Sequence, residues 1–181
     1  SNFAKFSGYN DEARGDRNEG QGLSGGRAGD REVSVWLKTG QNSFVLSCGL
    51  SPHESIMREL SRDSAFVISN PLGFALEIAR QLPGCIGGFS GNCIYRDPPI
   101  ILRHLNPEDL PVGPDISVDQ IIAVSQKLGG EERYLLKHPR YELQREYRFV
   151  WQVDHPVLDY RDVIAPLARQ HCRRINIKEL R

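Results

Sequence analysis

Residues 141–153 read YELQREYRFVWQV, and from Tyr147 onward every second residue is large and apolar. Successive side chains of a β-strand point to opposite faces, so this alternation predicts a strand with one face in the core. The predicted core face carries Leu143, Tyr147, Phe149, Trp151 and Val153. The opposite face carries Glu142, Gln144, Glu146 and Arg148. Buried rings on one side would hold this polar row rigidly, as a preorganised site requires.

Two interpretations of the polar face are open. A strand of an antiparallel sheet with one face in water shows this alternation by default, and its Glu and Arg side chains then form cross-strand charge pairs. A binding site is favoured by the segment YLLKHPRY just upstream, which adds groups suited to anions and to ring stacking. These groups are Lys137, His138, Arg140 and Tyr141.

Residues 1–32 are polar and glycine-rich, and we interpret them as a loop-like N-terminal segment of the domain, with the core at 33–181. Within it, EARGDRNEG offers Arg14, Asp16 and Glu19 as candidate binding residues. The chain opens SNFAKF without methionine, so we expect part of the natural N-terminus to be missing.

Strands and helices alternate along the rest of the chain. VSVWLK and SFVLSC predict a β-hairpin, and SAFVIS predicts a further strand. Helices are predicted to begin at Ser51, Asn70 and Ser117, each with a capping residue, and PLARQHCRRI predicts a last helix. Regular βαβ spacing is absent, which favours a single α+β domain with mostly antiparallel sheet and several packed helices.

The composition excludes several classes of protein. The 181 residues carry 23 basic and 23 acidic side chains, so net charge gives no reason to expect a nucleic acid or an anionic membrane. No apolar run reaches the roughly 20 residues of a membrane helix. The four cysteines form no CxxC pair, which favours reduced thiols in a cytoplasmic protein over a zinc site. The oligomeric state is not encoded in any of these features.

The order of several motifs resembles a widespread bacterial family catalogued as a domain of unknown function and met in phage-defence and mobile-element settings. The matching pieces cover most of the chain: RGDRNEG, SFVLSCGLS, GFALEI, NCIYRD, LLKHPRYELQREYRFVW and VIAPLARQHCRRI. This resemblance implies a bacterial defence protein or toxin that acts on a macromolecular target.

The layout is also similar to a distant ADP-ribosyltransferase-type fold, in which a serine-bearing strand precedes a strand with a catalytic glutamate. The resemblance implies that Glu146 binds the nicotinamide ribose of NAD⁺ and stabilises the positive charge that develops as nicotinamide leaves. It implies that Gln144 orients the acceptor, that Ser47 lies on the serine strand, and that Arg14 or Arg140 holds the pyrophosphate. The segment SIMRELSRD departs from the family, whose members carry Trp and Tyr there.

Two rival functions are compatible with the same residues. One is a non-catalytic module that binds a nucleic acid, a nucleotide or a protein. The closing segment PLARQHCRRINIKELR has a basic cluster that suits phosphate, although a solvated helix face is the simpler interpretation. The other is a nuclease with Mg²⁺ on a carboxylate cluster, namely Asp16, Glu19, Glu142 and Glu146. Since no histidine–carboxylate motif supports this cluster, we predict no metal.

Overall fold

The computed structural model describes residues 21–38, 40–51, 64–110 and 117–176. Its strands are β1 (Gln21–Ala28), β2 (Arg31–Lys38), β3 (Ser43–Gly49), β4 (Ser64–Ile68), β5 (Cys85–Asn92), β6 (Ile94–Tyr95), β7 (Ile100–His104), β8 (Leu136–Lys137), β9 (Glu146–Val153) and β10 (Cys172–Asn176). The α-helices are α1 (Pro71–Ala79) and α2 (Val118–Leu128), and four 3₁₀ helices span Pro107–Asp109, Glu131–Tyr134, Pro139–Gln144 and Pro166–His171. Antiparallel pairing predominates among the described strands, which confirms the predicted α+β class.

The sheet β3–β9–β5 has β9 at its centre, and β9 is formed by residues 146–153 of the stretch YELQREYRFVWQV. Phe149 and Trp151 stack with ring centroids 5.8 Å apart, and Val153 is completely buried beside them. Helix α1 packs on this face, where the Trp151 indole N–H donates to the carbonyl of Ala75 at 2.9 Å. The predicted apolar face is therefore confirmed for these three residues.

The strand is shorter than the alternation predicts, because residues 139–144 form a 3₁₀ helix and β9 begins at Glu146. Pro139 occupies the first turn of this helix, and the preceding His138 caps it by accepting the Arg140 backbone N–H at 3.2 Å. Arg145 then adopts a left-handed conformation with φ 42°. Leu143 consequently points away from the core and is 87% exposed, so its assignment to the core face was wrong.

The polar face of β9 is not a solvated face. Glu146 is 6% exposed and Arg148 is completely buried, and Val150 on the same face packs with Val45 and Tyr134. As the central strand, β9 has packing on both sides, so the simpler interpretation of its charges as surface pairs is wrong for these two residues. A charge pair buried in this way needs closely placed partners.

A second sheet has the order β2–β1–β7 and overturns two local predictions. Strand β1 lies inside the glycine-rich segment that we predict as a loop, and β2 pairs with β1 instead of forming a hairpin with β3. A glycine is needed at position 26, where a Cβ atom would lie 2.4 Å from Leu105 beneath α2. The buried contacts of this sheet with α2 explain why a sequence poor in aliphatic residues forms a strand here.

Two of the predicted helix starts are confirmed, whereas the predicted last helix is not. Asn70 accepts the Gly73 N–H at 3.0 Å, and Ser117 forms a complete capping box with Gln120 before α2. The helix predicted from Ser51 lies outside the described residues. PLARQHCRRI forms the 3₁₀ helix Pro166–His171 followed by β10, which pairs with β4, so the predicted helix was wrong. No helix of the described residues is long and apolar enough to cross a membrane.

Candidate functional site

The serine strand and the glutamate strand are neighbours. Strand β3 pairs with β9 in an antiparallel register that places Ser47 opposite Arg148 and Gly49 opposite Glu146. The Ser47 hydroxyl donates to Glu146 Oε1 at 2.7 Å, a contact between residues 99 positions apart. Ser47 is exposed whereas Glu146 is buried, so this hydrogen bond joins an exposed residue to a buried carboxylate.

Two cations hold the same carboxylate. Lys137 Nζ donates to Glu146 Oε2, and Arg148 Nε donates to Glu146 Oε1 at 2.5 Å. All three side chains are buried, with relative exposures of 9% for Lys137, 7% for Glu146 and 0% for Arg148. Lys137 Nζ also donates to Gln144 Oε1 at 3.0 Å. Ser47 and Arg148 thus contact Glu146 directly, and Gln144 joins the same cluster through Lys137.

Backbone and side-chain groups of neighbouring elements fix the cluster in place. Arg148 Nη1 donates to the carbonyl of Tyr134 at 2.8 Å. The backbone N–H of Glu146 donates to the hydroxyl of Tyr95 at 2.7 Å, and the thiol of Cys93 lies 3.5 Å from Glu146 Oε1. Each oxygen of the carboxylate therefore has a donor, and Glu146 is pinned at both its backbone and its side chain.

The electrostatics of the cluster keep Glu146 ionised. Burial raises the pKa of Glu146, but the charges of Arg148 and Lys137 and their hydrogen bonds outweigh it and lower that pKa to about 2. Burial, assisted by the charge of Glu146, raises the pKa of Cys93 to about 12 although Arg148 and Lys137 oppose it. At neutral pH the cluster thus holds one carboxylate, two cations and a neutral thiol, a net charge of about +1.

The segment YLLKHPRY, which the sequence predicts to contribute binding groups, supplies Lys137 to the cluster and continues beside it. The Tyr141 ring is buried between Lys137 Nζ, at 4.8 Å from the ring centroid, and the Arg140 guanidinium, at 4.7 Å. His138 Nε2 lies 3.3 Å from a carboxylate oxygen of Asp97, away from Glu146. Arg140 is exposed, whereas Lys137 and Tyr141 are buried.

Several predicted site residues lie outside the described part of the chain, namely Arg14, Asp16 and Glu19. Their relation to Glu146 therefore stays a prediction. Within residues 21–38, 40–51, 64–110 and 117–176, no three or more His, Cys, Asp or Glu side chains are grouped so as to hold a metal ion. Of the carboxylates proposed for Mg²⁺, Glu142 is exposed and Glu146 is bound to cations.

Sequence reasoning missed two members of the site, Cys93 and Tyr95, and the role of a third, Lys137. Lys137 was noted as an anion-binding group but not as the partner of Glu146. Cys93 and Tyr95 were passed over, although both lie in the NCIYRD motif that carries the family resemblance. Their signal is weak, because the residues reach Glu146 only through the pairing of β6 with β8 and of β5 with β9.

Comparisons with protein families and known structures give no match. No family model matches the chain, and neither a curated protein nor a solved structure matches it. The functional conclusion therefore depends on the geometry of the Glu146 cluster and on the chemistry of its residues.

Proposed function

We propose that this protein is an NAD⁺-dependent transferase of the ADP-ribosyltransferase type that modifies a macromolecular target in a bacterial toxin or defence setting. The observation that carries the proposal is the 2.7 Å hydrogen bond from Ser47 to Glu146, which joins a serine strand to a glutamate strand. The Gln144 side chain, two residues before Glu146, reaches the same cluster through Lys137. The four cysteines without disulfides support a reducing compartment such as the cytoplasm.

The proposed reaction requires an ionised carboxylate. The bond between nicotinamide and ribose C1′ breaks with its electron pair leaving on nicotinamide, and an acceptor oxygen or nitrogen of the target then bonds to C1′ and loses a proton. Positive charge develops on the ribose in between, and a negative group placed beside it lowers the barrier. The low pKa of Glu146 ensures that this group is charged at neutral pH.

The two ion pairs of Glu146 place a requirement on this mechanism. A carboxylate shared by two cations exerts little net field on a positive ribose. Arg148 is completely buried and is also bound to Tyr134, so it stays in place. Lys137 has two other contacts, the Gln144 amide oxygen and the Tyr141 ring, to which it can turn. The proposed mechanism therefore includes a shift of Lys137 away from Glu146 when NAD⁺ binds.

The test measures NAD⁺ binding by calorimetry and nicotinamide release by chromatography. We expect the wild type to release nicotinamide and Glu146→Gln to lower kcat about 10²–10³-fold, the usual effect of removing one electrostatic contact to the transition state. Ser47→Ala should lower kcat with less effect on folding, since Ser47 is exposed. Glu142→Gln, at an exposed carboxylate four residues earlier, is the matched control. A wild type that neither binds nor cleaves NAD⁺ would refute the proposal, as would full activity in a folded Glu146→Gln variant.

A second candidate is favoured by the charge balance of the same site. Two cations around one carboxylate leave a net positive charge, which suits the phosphates of a nucleotide better than a developing cation. In this case the protein is a non-catalytic nucleotide-binding module, with Arg140 exposed beside Tyr141 as the outer contact. Binding of ADP-ribose that Arg140→Gln weakens, together with no cleavage of NAD⁺, would select this candidate over the transferase.

A further inference from the structure

Strands β4 and β10 form a two-stranded antiparallel ribbon that is separate from the Glu146 sheet. Phe66 of β4 lies directly opposite Arg174 of β10, so their side chains share one face of the ribbon. Phe66 is 70% exposed, and Arg174 is exposed and donates to the Ser64 hydroxyl at 3.4 Å. An accessible aromatic ring therefore lies beside a guanidinium whose hydrogen bond to Ser64, within the described part of the ribbon, is long.

The charge of this part of the chain differs from that of the whole. Residues 64–82 and 166–176 contain four arginines and one acidic residue, whereas the full chain has equal numbers of acidic and basic side chains. The acidic residue, Glu77, is already paired with Arg80 on α1. Arg169 and Arg173, both exposed, make no ion pair with any residue that the structure describes. The ribbon and its flanking 3₁₀ helix thus carry an uncompensated positive charge of about +3.

A single exposed aromatic residue needs no explanation by itself. Here, however, the ring lies opposite Arg174 on the same face of the ribbon, so a stacking surface and a phosphate contact are placed together, whereas Arg173 projects from the other face. Single-stranded nucleic acid has unpaired bases next to its phosphates. Proteins bind it by stacking the bases on aromatic side chains and pairing the phosphates with nearby cations. A duplex has its base faces already stacked and offers only phosphates.

We propose that the β4–β10 ribbon is a binding surface for single-stranded nucleic acid, in which Phe66 stacks on a base and Arg174 contacts a phosphate, while Arg169 and Arg173 add to the positive charge around the ribbon. This proposal gives the basic residues of the segment PLARQHCRRI a binding role, in place of the simpler interpretation as a solvated helix face. The proposal does not depend on the proposed transferase activity, since none of these residues contacts Glu146 or Lys137.

Fluorescence anisotropy of the full chain with labelled 12-nucleotide single-stranded RNA and DNA, in about 50 mM salt, tests the surface. We expect Phe66→Ala to weaken binding about tenfold and Phe66→Trp to preserve it, because a larger ring still stacks. Arg174→Ala should weaken binding and reduce the slope of log K against log salt by about 0.7, the value for one phosphate contact on a single strand. The same duplex sequence should bind more weakly and should be insensitive to Phe66→Ala.

Matched controls are available at other exposed positions. Trp36→Ala removes a ring that is 60% exposed on β2, and Arg161→Ala removes an exposed guanidinium outside the ribbon. Neither should change binding. The proposal is overturned if the wild type does not bind the oligonucleotides, or if Trp36→Ala weakens binding as much as Phe66→Ala. It is equally overturned if the protein binds phosphatidylserine vesicles and no oligonucleotide, since the arginines would then serve a lipid surface.

Discussion

Replacing Glu146 by glutamine should destabilise the protein in a pH-dependent way. The substitution keeps the shape of the side chain but removes the one negative charge between Lys137 and Arg148, which leaves two buried cations without a counter-charge. Removing one partner of a buried ion pair costs about 3–5 kcal/mol. This cost is a large fraction of the 5–15 kcal/mol by which a domain of this size is usually stable.

The pKa of Glu146 gives a second value for the same quantity. The folded-state pKa of about 2 lies some 2.5 units below the ordinary value of 4.5, and each unit corresponds to about 1.4 kcal/mol, so ionised Glu146 contributes about 3–4 kcal/mol. Because the folded pKa is the lower one, this stability is present above pH 4.5 and is lost as the pH falls toward 2. A protonated Glu146 is as neutral as the glutamine, so the two proteins should converge in acid.

Urea unfolding followed by tryptophan fluorescence at several pH values measures the difference. We expect Glu146→Gln to be about 3 kcal/mol less stable than the wild type at pH 7, with the gap falling to about 1 kcal/mol at pH 3. Glu142→Gln, at an exposed carboxylate, should stay within about 0.5 kcal/mol of the wild type at both pH values. The reasoning fails if the gap is below about 1 kcal/mol at pH 7, or if it is unchanged on acidification.

Three further outcomes follow from local geometry. Gly88→Ala should lower the free energy of unfolding by about 1–3 kcal/mol, because the new Cβ would lie 2.5 Å from a backbone carbonyl oxygen of β9. At the neighbouring Gly87 a Cβ meets nothing within 4 Å, so Gly87→Ala should be neutral or slightly stabilising. Chemical denaturation of both variants measures the difference. Ser117→Ala removes the capping box of α2 and should lower stability by about 1 kcal/mol in the same assay, and no change would show that the cap is dispensable. The thiol of Cys93 is buried and has a pKa of about 12, so at pH 8 it should react with iodoacetamide at least about tenfold more slowly than Cys85. Mass spectrometry of the labelled peptides measures both rates. Equal rates would contradict the burial of Cys93.

Features set by neighbouring residues could be predicted from the sequence. The caps of α1 and α2 involve a side chain and a backbone N–H only three residues apart, so their sequence signals are sufficient. The alternation of Phe149, Trp151 and Val153 correctly predicts a strand with an apolar face, because that periodicity is a property of the strand itself. The α+β class follows from the same local signals.

Features that depend on distant partners could not be predicted in this way. Strand β1 is glycine-rich and forms only because β2 and β7 pair with it and α2 covers it. The helical pattern after Pro166 gives way to β10 because β4 offers a strand to pair with. Upstream of β9, the alternation continues through Leu143, yet the turn begun by Pro139 and capped by His138 overrides it.

The candidate site also has features that the sequence determined and features that only the tertiary structure decided. The sequence by itself determined which chemical groups are present, and the resemblance selected Ser47, Gln144 and Glu146 among them. Only the tertiary structure decided that Glu146 is buried on a central strand with Lys137 and Arg148 around it. A charged row on a strand looks the same in sequence whether that face meets water or protein, and the choice depends on strands that lie far away along the chain.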